Sequence, residues 1–123
     1  DVNTDIDIAV IRAHWVFAKE LKLGAEPTWR DALTVVGHPF GYKGVFITQG
    51  YVANPHTVID TARFFMVFDV AGAPGNSGSP VLDANGDLIS ILQIGWGRTF
   101  SPITGGATYE DLLKFKKYFT KSE

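Results

Sequence analysis

The apolar runs of this chain are short, rich in β-branched and aromatic residues, and closed by glycine, proline, asparagine or aspartate, a punctuation that restricts the fold more than any other feature. Ile6, Ile8 and Val10 alternate with Asp5, Asp7 and Ala9, so residues 6 to 13 read as a strand entering a core. Leu33 to Val36 read as a second strand, ended by the turn-rich Gly37-His38-Pro39-Phe40-Gly41. Val45 to Val52 form a third, in which Gly50 suggests a bulge or sharp coil. Further strands are read at Arg63 to Phe68, Pro80 to Leu82 and Leu88 to Ile94, the last two joined by a hairpin through Asn85-Gly86.

Helical spacing appears only near the end. Thr108 and Asp111 have capping-box spacing, and Leu112, Phe115 and Phe119 share one helical face, which predicts a helix over about 108–120. Lys114, Lys116 and Lys117 fall in its second half, where they complement the negative end of the macrodipole and form a solvated face. Short strands separated by glycine turns, with one terminal helix, describe an all-β barrel domain and exclude a βαβ sheet.

With 123 residues the chain is one domain at most, and 46% hydrophobic against 20% charged residues exclude disorder, collagen-like repeats and coiled coils. Eleven basic against thirteen acidic residues give a net charge of −2, so no basic field points to nucleic acid or an acidic membrane as partner. Runs such as Phe64-Phe65-Met66-Val67-Phe68 fall far short of the ~18–20 apolar residues of a membrane-spanning helix, which predicts a soluble chain. The absence of cysteine removes disulfides, thiolate metal sites and a cysteine nucleophile, leans toward a reducing or bacterial setting, and leaves the compartment open. His14, His38 and His56 have no carboxylate or second histidine at ligand spacing, so no metal and no cofactor are expected.

The segment that carries chemistry is Gly75-Asn76-Ser77-Gly78-Ser79-Pro80. A serine becomes a nucleophile only with a base to take its proton and donors to hold the developing oxyanion. Gly75 leaves room beside a substrate carbonyl, a tight turn there can aim the Gly75 and Ser77 amides at one point, and Gly78 lets the chain turn into the next strand. The same composition also forms a plain turn between two strands. It is not a nucleophile elbow, because Ser79 stands where that pattern needs glycine and a strand follows instead of a helix.

This hexapeptide resembles the Gly-Asn-Ser-Gly-Gly-Pro signature of chymotrypsin-fold serine proteases, including viral members with Gly-x-Ser-Gly-Ser-Pro. Asp7-Ile8-Ala9-Val10 is similar to the strand start that carries the triad aspartate of that superfamily. Val36-Gly37-His38-Pro39-Phe40-Gly41, Thr48-Gln49-Gly50-Tyr51-Val52 and Gly86-Asp87-Leu88-Ile89-Ser90-Ile91 resemble elements of the HtrA-type proteases, in that family's order.

The resemblance implies a chymotrypsin-like β-barrel fold: residues 1–20 as the last strand region of a first barrel, 21–107 as the second barrel, and 108–123 as the C-terminal helix. It implies a serine endopeptidase in which Ser77 attacks a peptide carbonyl, the Gly75 and Ser77 amides hold the oxyanion, and Asp7 orients a histidine. Asp5 competes with Asp7 for the acid but lacks the Ile-Ala-Val continuation. In this family the histidine precedes the aspartate, whereas all three histidines here follow Asp7, so the base is expected from an upstream segment that acts as partner to this C-terminal portion. The order Asp7, His38, Ser77 fits a subtilisin-type triad on chain order alone, but none of that family's motifs is present.

The family's primary pocket maps onto Ala71, Gln93, Ile94 and Gly95, with Gly105 or Gly106 on the far wall. Without a carboxylate at Ala71 the expected preference is for small or medium apolar side chains of a peptide or protein substrate. Asn76 stands where trypsin-like zymogens carry the aspartate that receives a new N-terminal amine, so that activation is not expected. The rival reading is a protease-like binding or structural module without turnover.

Overall fold

The computed structural model describes residues 2–13, 20–41, 43–58, 63–96 and 102–119. Six antiparallel strands close into a barrel: β3 (Ala32–Gly37), β4 (Phe46–Val58), β5 (Phe64–Asp69), β6 (Pro80–Leu82), β7 (Leu88–Trp96) and β8 (Ile103–Gly106). Around the barrel they run β3-β4-β5-β8-β7-β6, and β6 pairs back with β3 through Thr34 with Leu82 and Val35 with Val81. Period-2 alternation sends Leu33, Val35, Val52, Met66, Phe68, Val81 and Ile89 inward, where they pack as one buried cluster.

The expected strand at 6–13 is instead a small hairpin. β1 (Val2–Asn3) pairs with β2 (Ile8–Ala9), and residues 4–7 form the turn between them. Asn3 accepts the Asp5 amide at 3.1 Å, and Asp7 takes a φ of 57°, a left-handed conformation that aspartate tolerates. Turn chemistry in Asn3-Thr4-Asp5 thus overrides the alternation that follows it. Ile6 and Ile8 leave this hairpin to join a second apolar cluster outside the barrel, with Leu88, Ala107, Leu112 and Phe115.

The terminal helix is shorter than its periodicity suggests. α1 covers Tyr109–Leu113 and gives way to a 3-10 turn at Lys116–Tyr118. The capping box is formed: Thr108 Oγ1 accepts the Asp111 amide at 3.1 Å, and Asp111 accepts the Thr108 amide at 3.3 Å. Leu112 and Phe115 are buried, with Phe119 packed beside them. Lys114, at the C-cap of α1, also lies 3.6 Å from the Asp111 carboxylate.

Gly50 marks no bulge, since the register shifts of β4 lie between Val52 and Asn54 and between Asn54 and Thr57. It permits close approach instead: a Cβ there would come within 2.0 Å of the Asp69 carbonyl oxygen. The 82–88 hairpin is closed as its sequence requires, with Gly86 at φ 82° and Asp83 Oδ1 accepting the Asn85 and Asp87 amides at 2.9 and 3.0 Å.

Candidate active site

Ser77 sits in a turn ahead of β6 that is braced on both sides of the serine. Asn76 donates its amide to Ala73 O (3.2 Å), Ser79 to Asn76 O (3.0 Å) and Gly78 to Leu92 O (2.7 Å), and Leu92 returns a bond to Ser79 O at 2.9 Å. Gly75 and Gly78 hold φ of 95° and 91°, which side-chain-bearing residues rarely adopt. The Gly75 and Ser77 amides have no acceptor among the described residues. Unpaired backbone donors beside a serine hydroxyl are the kind of group that can hold a developing negative charge. Ser77 itself is exposed, with its Oγ 3.4 Å from the Gln93 carbonyl it donates to.

The turn is seated on β3 by a glycine whose role the sequence did not signal. A Cβ at Gly37 would come within 2.3 Å of Ser79 Oγ and 2.4 Å of Asn76 Oδ1, so glycine there lets β3 lie against the base of the turn without displacing those two side chains. From the other end of the Gly37–Gly41 stretch, the Phe40 amide donates to Pro74 O, the carbonyl next to Gly75.

A cleft of about 290 Å3 opens beside Ser77. Gln93, Ile94 and Gly95 of β7 form one wall, with Gly72 and Thr104 beneath. Thr104 Oγ1 donates to Val70 O at 3.0 Å, and a Cβ at Gly72 would come within 2.5 Å of the Thr104 methyl. None of the described lining residues is charged.

Ala71 is not among them: it is exposed and lines a second cavity, which shares Gly72, Ala73 and Asn76 with the cleft. Gly105 and Gly106 are buried in β8 and do not line the cleft either. Gly106 instead lets β8 approach β7, since a Cβ would come within 2.1 Å of Ile91 O. Thr104 of the same strand reaches the cleft in their place.

Gln93 does more than line a wall. Its Nε2 donates to Ile6 O at 2.8 Å and lies 3.3 Å from Asp7 O, its Oε1 accepts from Arg63, and its carbonyl receives the Ser77 hydroxyl. One side chain therefore ties the turn that carries Asp7 to the strand that flanks Ser77. Nothing local in Leu92-Gln93-Ile94 announces this, because its partners are 86 and 87 residues away. The carboxylates of Asp7 and Asp5 lie on exposed residues of that same turn.

His38 and His56 are exposed and line no part of the Ser77 cleft. His56 stacks on Phe64 with centroids 4.1 Å apart and lies 3.7 Å from Glu110. His14 lies outside the described residues.

Residues 1–91 match the trypsin-like peptidase domain family, and this chain belongs to that family. It is 32% identical over 97 residues to Protease Do-like 2, chloroplastic, of Arabidopsis thaliana, covering 72% of this chain but 16% of that protein. The HtrA-type protease AlgW, solved with a tripeptide, is 26% identical with a TM-score of 0.67, covering 80% of this chain and 35% of AlgW. An inactive form of Rv3671c from M. tuberculosis H37Rv, a serine-to-alanine mutant, has a TM-score of 0.75 at 15% identity and covers 99% of this chain and 63% of that one. The fold is a chymotrypsin-like β-barrel with HtrA-type relatives, and the chain spans only part of the length of the proteins it matches.

Proposed function

We propose that this domain carries the nucleophile and oxyanion hole of a serine endopeptidase. The observation that supports the reading is the pairing of an exposed Ser77 hydroxyl with two amides, Gly75 and Ser77, that have no acceptor among the described residues. The peptide carbonyl carbon bonds to Ser77 Oγ, the C–N bond breaks, and the serine proton passes through a histidine base to the leaving amine. Water then cleaves the acyl ester by the reverse proton path.

The base in this reading is a histidine on a segment preceding Asp7 in the longer protein, with Asp7 orienting it. Residues 1–20 then belong to the edge of a first barrel, residues 21–107 to the second, and residues 108–123 to the closing helix. Membership of the trypsin-like peptidase family supports the assignment. AlgW is known with a decapeptide and with a tripeptide, which supports a peptide or protein as substrate here too. The uncharged cleft over Gly72, Ile94 and Thr104 favours a small or medium apolar side chain before the scissile bond.

The test is fluorophosphonate labelling of the full-length protein. Labelling is expected at Ser77, to be lost in Ser77→Ala without a change in melting temperature, and to fall below about pH 6.5 as the base protonates. Peptides with Val, Ala or Leu at the cleaved position should outrun those with Arg. Labelling that survives Ser77→Ala would refute the assignment. That His38 and His56 line no part of the cleft favours one rival, a protease-like module without turnover. A wild-type protein that never labels would establish it.

A further inference from the structure

Another cavity, of about 470 Å3, opens where three segments meet: the loop ahead of β3, the far half of β4 and the first turn of α1. It shares no lining residue with the Ser77 cleft. Its walls are ordered before anything binds. The Arg30 amide donates to Val52 O at 2.7 Å and the Val52 amide to Asp31 O at 2.9 Å, which stitches the loop to β4, and the Tyr109 hydroxyl donates to Gly24 O at 2.6 Å. A ligand therefore meets a surface with little ordering left to do.

Two kinds of group line this cavity. Trp29, Tyr109, Pro27 and Pro55 supply rings, and Trp29 is 61% exposed although an indole is among the side chains that gain most from burial. Glu26 and Glu110 supply carboxylates, and no lysine or arginine stands among the described lining residues. Glu110 lies 3.7 Å from His56 Nε2 with its side chain 78% exposed, and Glu26 makes no salt bridge among the described residues.

Carboxylates without a lysine or arginine partner, beside aromatic rings, are complementary to a cation. A metal ion is a poor match, because no three carboxylate or imidazole ligands come together among the described residues. A quaternary ammonium uses the rings but has no hydrogen to donate to the carboxylates. An arginine guanidinium uses both, since it is planar and weakly hydrated, stacks on aromatic faces and donates to carboxylate. We propose that this cavity holds an arginine side chain of a bound polypeptide, at a docking site separate from the Ser77 cleft. The proposal does not rest on the serine endopeptidase reading.

The test uses the full-length protein carrying Ser77→Ala, so that no probe is turned over, labelled with 5-fluorotryptophan and followed by fluorine NMR. The Trp29 signal is identified by its loss in Trp29→Phe. Three probes are titrated: acetyl-Gly-Arg-Gly-amide, the same peptide with citrulline, which keeps the shape and loses the charge, and the same peptide with trimethyl-lysine. The arginine peptide should shift the Trp29 signal saturably, and each of the other two should bind at least about fivefold more weakly. Glu26→Gln combined with Glu110→Gln should bring the arginine and citrulline peptides within about twofold of each other, with the melting temperature unchanged because both side chains are exposed. Trp29→Leu should weaken the arginine peptide at least about threefold, read from the peptide's own signals. Equal affinity for the arginine and citrulline peptides, or no shift of the Trp29 signal, overturns the site. A trimethyl-lysine peptide that binds as tightly as the arginine peptide overturns the guanidinium assignment. Discrimination between arginine and citrulline that persists in the double variant places recognition elsewhere and overturns the proposal as well.

Discussion

The apolar cluster inside the barrel and the one outside it use the same kinds of side chain but are enclosed differently. The inner one, around Met66, Phe68 and Ile89, is surrounded by six strands whose ladders close on themselves, so no strand can leave without breaking pairs on both sides. The outer one, around Ile6, Ile8, Leu112 and Phe115, is covered by a hairpin with two paired positions and a five-residue helix. The difference locates the low-stability unit: the outer layer can open while the barrel persists. It also divides the proposed chemistry, since Ser77 rides on the barrel and Asp7 on the hairpin, joined by Gln93.

The largest effect expected is therefore in the barrel. Phe68→Ala, at a fully buried position, should cost about 3–5 kcal/mol and lower the melting temperature of the whole domain, whereas Ile8→Ala in the outer cluster should cost less. Equal losses at the two sites would erase the distinction. Gly50→Ala should follow at about 1–3 kcal/mol, because its methyl would strike the Asp69 carbonyl and force β4 and β5 apart; chemical denaturation measures it.

Gln93→Ala sharpens the comparison by cutting the tie. We expect faster hydrogen exchange across residues 2–9 with barrel amides unaffected, and a loss of about 1–2 kcal/mol. Exchange unchanged in the hairpin would show that the outer cluster alone holds it. Thr108→Ala should have the smallest effect, about 1 kcal/mol from the lost cap, seen as earlier fraying of residues 109–113.

Much of this architecture can be read from the residues in order, because it is written in local chemistry. The strands show as β-branched and aromatic runs, the 82–88 hairpin as Asn85-Gly86, the helix start as the Thr108–Asp111 pair, and the Ser77 turn as glycines on either side of the serine. In the hairpin and the helix start the groups that satisfy the backbone lie within a few residues of one another, so sequence spacing is enough there.

What only the tertiary structure decided are relations between strands far apart in the chain. That Gly37 makes room for Asn76 and Ser79, that Gly50 does so for Asp69, and that Gln93 spans to Ile6 depend on how closely separate strands approach, a distance no periodicity encodes. The side of the turn on which Ala71 falls, away from the cleft that Gly72 and Thr104 line, was settled in the same way. It depends on the path of the chain across a closed barrel, along which Gly72 borders both cavities and Ala71 only one.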